Sequence, residues 1–91
     1  MNKKAIKIIV HGLVHGVFYR QSTQELATSL NLNGTVRNCN DGTVEIFAEG
    51  EEANLKKLAE WCKQGPPQAK VTKIEMENIM LKNFNSFKII R

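Results

Sequence analysis

The residues best suited to chemistry lie in the segment Gly12-Leu13-Val14-His15-Gly16-Val17-Phe18-Tyr19-Arg20, where the alternation of a strand gives way to the period of a helix. Unpaired N–H groups at a helix N-terminus favour an anion, and glycine lets the backbone approach a ligand closely. Arg20 adds a planar fork that suits phosphate oxygens. The segment lacks the G-x-x-x-x-G-K-S/T spacing of a nucleotide-binding loop, which argues against ATP. On these residues alone, a phosphate cradle and a plain glycine turn with a solvated Arg20 both stand. A second segment, Gly34-Thr35-Val36-Arg37-Asn38, is followed by Gly42 and Val44. The Asn38 amide offers a donor and an acceptor at every ordinary pH, so it can hold a water without titrating. Equally, it can be a turn former ahead of Asn40-Asp41-Gly42.

These segments need elements to position them. Residues 5–14 alternate, with Ile6, Ile8 and Val10 on one face and Lys7, Ile9 and His11 on the other, which predicts a half-buried strand. From Gln21 the stripe Thr23, Leu26, Ala27, Leu30 predicts an amphipathic helix that stops across 31–34. Residues 35–38 form a short strand, expected to lie beside the first, and Asn40-Asp41-Gly42 makes a hairpin turn. Beyond it Val44, Ile46 and Ala48 face one way, while Thr43, Glu45, Phe47 and Glu49 face the other. Glu51 and Glu52 open a second helix, where acids suit the helix dipole. Its stripe is Leu55, Leu58, Ala59, Cys62, and Gly65-Pro66-Pro67 ends it. Residues 71–76 and 87–91 read as further strands. A striped helix and a one-faced sheet must cover each other. The order β-α-β-β-α-β therefore predicts an α+β, ferredoxin-like split βαβ fold. Two helices would lie on one face of a four-stranded antiparallel sheet, with a short C-terminal strand added.

Ninety-one residues are expected to form one domain, 1–91. With 42% hydrophobic and 24% charged residues the composition is that of a globular protein. No apolar run reaches membrane-spanning length, since Ile8-Ile9-Val10 is closed off by Lys7 and His11, and no signal-peptide core follows the N-terminal lysines. An intracellular, soluble protein is expected. The net charge of +4 favours anionic partners without choosing among them. Cys39 and Cys62 are too few for a disulfide framework, and a four-ligand zinc site would need both scattered histidines. Both cysteines are expected to be reduced, with Cys62 filling the core. His11, Lys56 and Lys57 are expected to be solvated, and Trp61 to edge the core.

Taken together, the two segments resemble the acylphosphatase family over nearly the whole chain. The family pattern G-x-V-Q-G-V-x-F-R corresponds to Gly12 through Arg20, and the second pattern to Gly34, Val36, Asn38, Gly42, Val44 and Gly50. The Gly65-Pro66-Pro67 stop and the Phe87-Lys88-Ile89 close are also typical of the family. Three residues depart from it: His15 replaces Gln, Tyr19 replaces Phe, and Thr35 replaces an aromatic residue. Tyr19 is expected to pack as Phe would, and Thr35 to forgo an apolar contact. His15 bears on loop geometry, rate and pH profile.

The resemblance implies hydrolysis of the carboxyl-phosphate bond of small acyl phosphates to carboxylate and inorganic phosphate, without metal or cofactor. It implies that Arg20 and the backbone N–H groups of His15, Gly16, Val17, Phe18, Tyr19 and Arg20 bind the phosphate. By the same resemblance, Asn38 is expected to orient the attacking water. A monomer in the cytoplasm is expected, with no nucleic acid or membrane as partner. The alternative is a non-catalytic single-stranded RNA-binding module of the same strand–helix order, which would stack bases on aromatic residues of the sheet. For that role the chain offers only Phe47 on the outward face.

Overall fold

The computed structural model describes residues 3–91. Its elements run β1 (Lys3–Leu13), α1 (Tyr19–Ser29), β2 (Asn33–Asn38), β3 (Val44–Glu51), α2 (Glu52–Cys62), β4 (Lys70–Ile79) and β5 (Phe87–Ile90). They form one sheet in the order β4-β1-β3-β2-β5. The first four strands pair antiparallel, whereas β5 joins β2 in parallel, so the sheet has five strands and is mixed. The ferredoxin-like arrangement therefore stands with the terminal strand absorbed as a fifth member.

The strand carrying Asn38 does not lie beside the first strand as expected, because β3 sits between them. The short turn over 39–43 requires β2 and β3 to be neighbours. It is then β3, with Val44, Ile46 and Ala48 fully buried, that pairs with β1. The alternating residues Ile6, Ile8, Val10 and Val36 meet the α2 stripe Leu55, Leu58, Ala59 and Cys62 in the core. On α1, Thr23 and Ala27 are buried while Leu26 and Leu30 are only partly covered. The Thr23 hydroxyl donates to the Tyr19 carbonyl one turn back, at 2.8 Å, which removes the cost of burying it.

The outer sheet face holds two departures from the expected solvated pattern. Glu49 points away from the helices, as its alternation requires, yet it is only 1% exposed. Residues 80–86 fold over it, and its carboxylate accepts the backbone N–H groups of Lys82, Asn83 and Phe84, the last two at 3.0 and 2.9 Å. A buried carboxylate needs such donors, and this one anchors the loop leading into β5. His11, expected to be solvated, is part-covered and meets Glu75 of β4 at 2.6 Å. That contact holds the Glu75 carboxyl below the usual range, with Lys73 adding to the effect.

Candidate active site

The first helix starts two residues earlier than its stripe suggests, at Tyr19. Its N-cap, Phe18, has a left-handed backbone with φ 65°, and the residue is 70% exposed. A bulky residue in that region is strained, and such strain gathers at functional sites. No side chain caps the helix, and no acidic residue stands in its first turn. Ser22 N–H closes the first turn onto the Phe18 carbonyl at 3.0 Å. Among the described residues, the backbone N–H groups from His15 to Arg20 find no protein acceptor. Uncapped donors at a helix start, with the positive end of its dipole behind them, attract an anion.

Asn38 ends β2 and approaches this loop from the neighbouring hairpin. Among the described residues, its Oδ1 is the one buried side-chain nitrogen or oxygen without a hydrogen-bond partner in the protein. Such an atom costs free energy unless a ligand or water supplies the donor. Both segments open onto one cleft of about 580 Å³, lined by Val14, Gly16, Phe18, Tyr19, Arg20, Gln21, Gln24, Asn38, Ile89 and Arg91. Arg20 and Asn38, 18 positions apart in sequence, thus share a cavity. No acidic residue lines it, and among the described residues neither Arg20 nor Arg91 is held in an ion pair.

Of the six positions expected to present N–H groups, Gly16, Phe18, Tyr19 and Arg20 line the cleft. The side chains of the other two turn elsewhere. Val17 packs in the core, and His15 Nε2 reaches the Thr43 carbonyl at 2.8 Å. Tyr19 packs 5.3 Å from the Trp61 ring, which lies at the core edge as foreseen. Its hydroxyl also finds the carbonyl of Cys62, at 2.8 Å. Burial pushes the Tyr19 phenol far above its usual range, so it stays protonated. Burial likewise pushes the Cys62 thiol up to about 12, which leaves it inert packing.

Sequence reasoning missed Gln21, Gln24, Ile89 and Arg91. Gln24 lies four residues beyond Arg20, one helical turn on, and that spacing is a legible signal. Ile89 and Arg91 carry no such signal. They arrive because β5 pairs with β2 and because Gln24 Nε2 donates to the Phe87 carbonyl at 3.1 Å. Among the described residues, no three His, Cys, Asp or Glu side chains gather as a metal site would require. Among the same residues, no helix is long and apolar enough to cross a membrane.

Comparison with known proteins decides the family. The acylphosphatase sequence profile matches residues 6–89. The chain belongs to the acylphosphatase family. It is 49% identical over 86 residues to the acylphosphatase of Acaryochloris marina, covering 94% of this chain and 92% of the relative. Among solved structures, it superposes on an acylphosphatase from Coxiella burnetii with a TM-score of 0.95 and 38% identity, covering 98% of this chain and 94% of that one. The acylphosphatase from Bacillus subtilis gives a TM-score of 0.94 at 39% identity, with 97% and 99% covered. The chain is thus an acylphosphatase, with an acyl phosphate as substrate and inorganic phosphate as product.

Proposed function

We propose that the cleft performs the hydrolysis with the phosphoryl group on the uncapped α1 N-terminus, gripped by Arg20, and with the attacking water on Asn38. The observation that carries this reading is Asn38 Oδ1, sealed from solvent without a protein partner on the same cleft as the free N–H groups. A phosphate group brings the oxygens those donors lack. A water bridging it to Asn38 Oδ1 supplies the missing hydrogen bond.

In the reaction, a water oxygen attacks phosphorus and the bond from phosphorus to the carboxyl oxygen breaks. The carboxylate leaves with that electron pair, and a phosphate oxygen takes the water's proton. Carboxylic acids ionise near pH ~4–5, so the leaving group needs no protein acid. What remains is positioning and charge stabilisation, which oriented N–H groups and an arginine fork provide without titrating. The cleft has room beyond the phosphate for an acyl group, against Phe18, Gln21 and Ile89.

The protein works in this reading as a monomer, because one chain supplies the whole cleft. Its cysteines, both free, suit the reducing cytoplasm. Nucleic acid is not a partner in this reading. Phe47, the ring an RNA-binding sheet would present, lies under Lys82 Nζ at 4.4 Å and beside Glu45 on the outer face.

Release of phosphate from benzoyl phosphate tests the division of labour. Arg20→Lys keeps a charge but loses the fork, so KM and the inhibition constant for phosphate should rise while turnover falls. Asn38→Ala should keep phosphate inhibition while kcat falls ~100-fold. If Asn38→Ala kept kcat and lost phosphate affinity, the roles would be reversed. Full activity in both variants would place the chemistry elsewhere in the chain.

A further inference from the structure

We propose that His15 is a positioning residue that clamps the phosphate-binding loop to the hairpin carrying Asn38. The proposal rests on the reading of Asn38 given above. His15 Nε2 lies 2.8 Å from the carbonyl oxygen of Thr43, 28 residues along the chain. A carbonyl oxygen only accepts, so Nε2 carries the hydrogen. The same oxygen accepts the N–H of Cys39 at 2.8 Å, the bond that closes the hairpin directly after Asn38. Thr43 is itself braced: Asp41 Oδ1 accepts its N–H at 3.0 Å and its hydroxyl at 2.6 Å. One oxygen therefore joins the loop to the strand end that presents Asn38.

The β1–β3 ladder ends at Val10 and Val44, before the loop begins. Among the described residues, residues 14–18 exchange no other hydrogen bond with the hairpin. Val14 and Val17 hold the loop by burial in the core. Apolar packing resists separation but is non-directional, so it tolerates sliding that a hydrogen bond does not. The reaction needs the loop's phosphorus and the water on Asn38 in line, although the two come from different elements. A misplacement of ~1 Å costs on the order of 100-fold in rate. The departure from the family's Gln at this position keeps the relevant property, since both side chains carry an N–H donor.

A double-mutant cycle on benzoyl phosphate hydrolysis tests the clamp. His15→Ala should lower kcat ~10-fold and barely change inhibition by inorganic phosphate, because the N–H groups and Arg20 belong to the loop and helix. In the Asn38→Ala background the same change should cost less than ~2-fold, since the water it aligns is already lost. His15→Gln should recover most of the rate. His15→Leu, which fills the ring's space and donates nothing, should behave as His15→Ala and serves if the alanine variant does not fold. Additive losses with Asn38→Ala would overturn the proposal, as would full kcat in His15→Leu or a glutamine variant no better than the leucine one. A rise in the phosphate inhibition constant at unchanged kcat would make His15 a phosphate ligand and equally overturn it. If Asn38→Ala alone kept its kcat, the reading of Asn38 would fall and the clamp with it. Additivity on top of a slow Asn38→Ala would sink the clamp alone.

Discussion

Replacing Tyr19 by the phenylalanine usual in the family should destabilise this protein, although the ring is retained. The reason lies at the end of α2. In a continued helix the Cys62 carbonyl would accept the N–H of residue 66, but Pro66 has none. The neighbouring donor, Gly65 N–H, is already bound to the Trp61 carbonyl at 2.8 Å. The Tyr19 hydroxyl fills the gap at 2.8 Å, in a place where Tyr19 is 1% exposed and Cys62 is 0% exposed. Tyr19→Phe removes the donor and leaves a buried carbonyl unpaired, a loss of about 1–2 kcal/mol. For a chain of this size that lowers Tm by about 5–15 °C, and the urea midpoint by about 1–2 M if the m-value is near 1 kcal/mol/M. Paired urea titrations followed by far-UV circular dichroism measure it. The sign of any pH dependence follows from burial, which raises the phenol's pKa in the folded state. The stabilisation is then fully present below the unfolded value of ~10 and lost as pH rises beyond it, so the difference between the proteins should be flat from about pH 5 to 9. A Tyr19→Phe protein as stable as the parent would refute the reasoning and mean that the Cys62 carbonyl needs no such donor.

Exhaustive chelation should leave acyl phosphate hydrolysis unchanged, as release of phosphate before and after dialysis against EDTA would show; a loss restored by magnesium or zinc would contradict the mechanism. Gly34→Ala should cost about 3 kcal/mol or more, because its Cβ would sit 1.8 Å from the Phe47 carbonyl oxygen. Gly42→Ala, at φ +91° with no atom within 4 Å, should cost only about 1 kcal/mol, and thermal melts of the pair test the contrast. Asp41 is held below its usual pKa by the Thr43 hydroxyl first and the Thr43 N–H second. Its contribution is therefore present above the unfolded value and lost as pH falls through the folded one, so amide chemical shifts over 39–43 should move together only in acid, and should not do so in Asp41→Asn.

The elements that periodicity can mark were legible from neighbouring residues. The run Val44, Ile46, Ala48 and the stripe Leu55, Leu58, Ala59, Cys62 are buried as their spacing requires. Boundaries were less so. Residue 19 rather than 21 begins α1 because the left-handed turn at Phe18 releases the chain early, and β4 runs over Lys70–Ile79 rather than 71–76 because its pairing with β1 continues through Glu77 and Asn78 to Ile79. On residue type alone Arg20 and Asn38 stood beside plainer readings and only the family resemblance paired them, while the cleft they share had no local signature.

What the amino-acid order determines by itself is the chemistry available and the periods of the elements. An arginine, uncapped glycine-rich turn residues and a non-titrating amide are properties of residue type, and strand or helix period is a property of near neighbours. Only the tertiary structure decides which remote groups become neighbours. It inserts β3 between β1 and β2, brings Arg91 to the cleft just past β5, folds residues 80–86 over Glu49, and sets His15 against Thr43. Each of these joins segments separated by at least one whole element, so no local pattern announces it. Their geometry follows from burying the two striped helices and one sheet face together, which leaves each polar group to find its partner wherever the packed chain happens to place one.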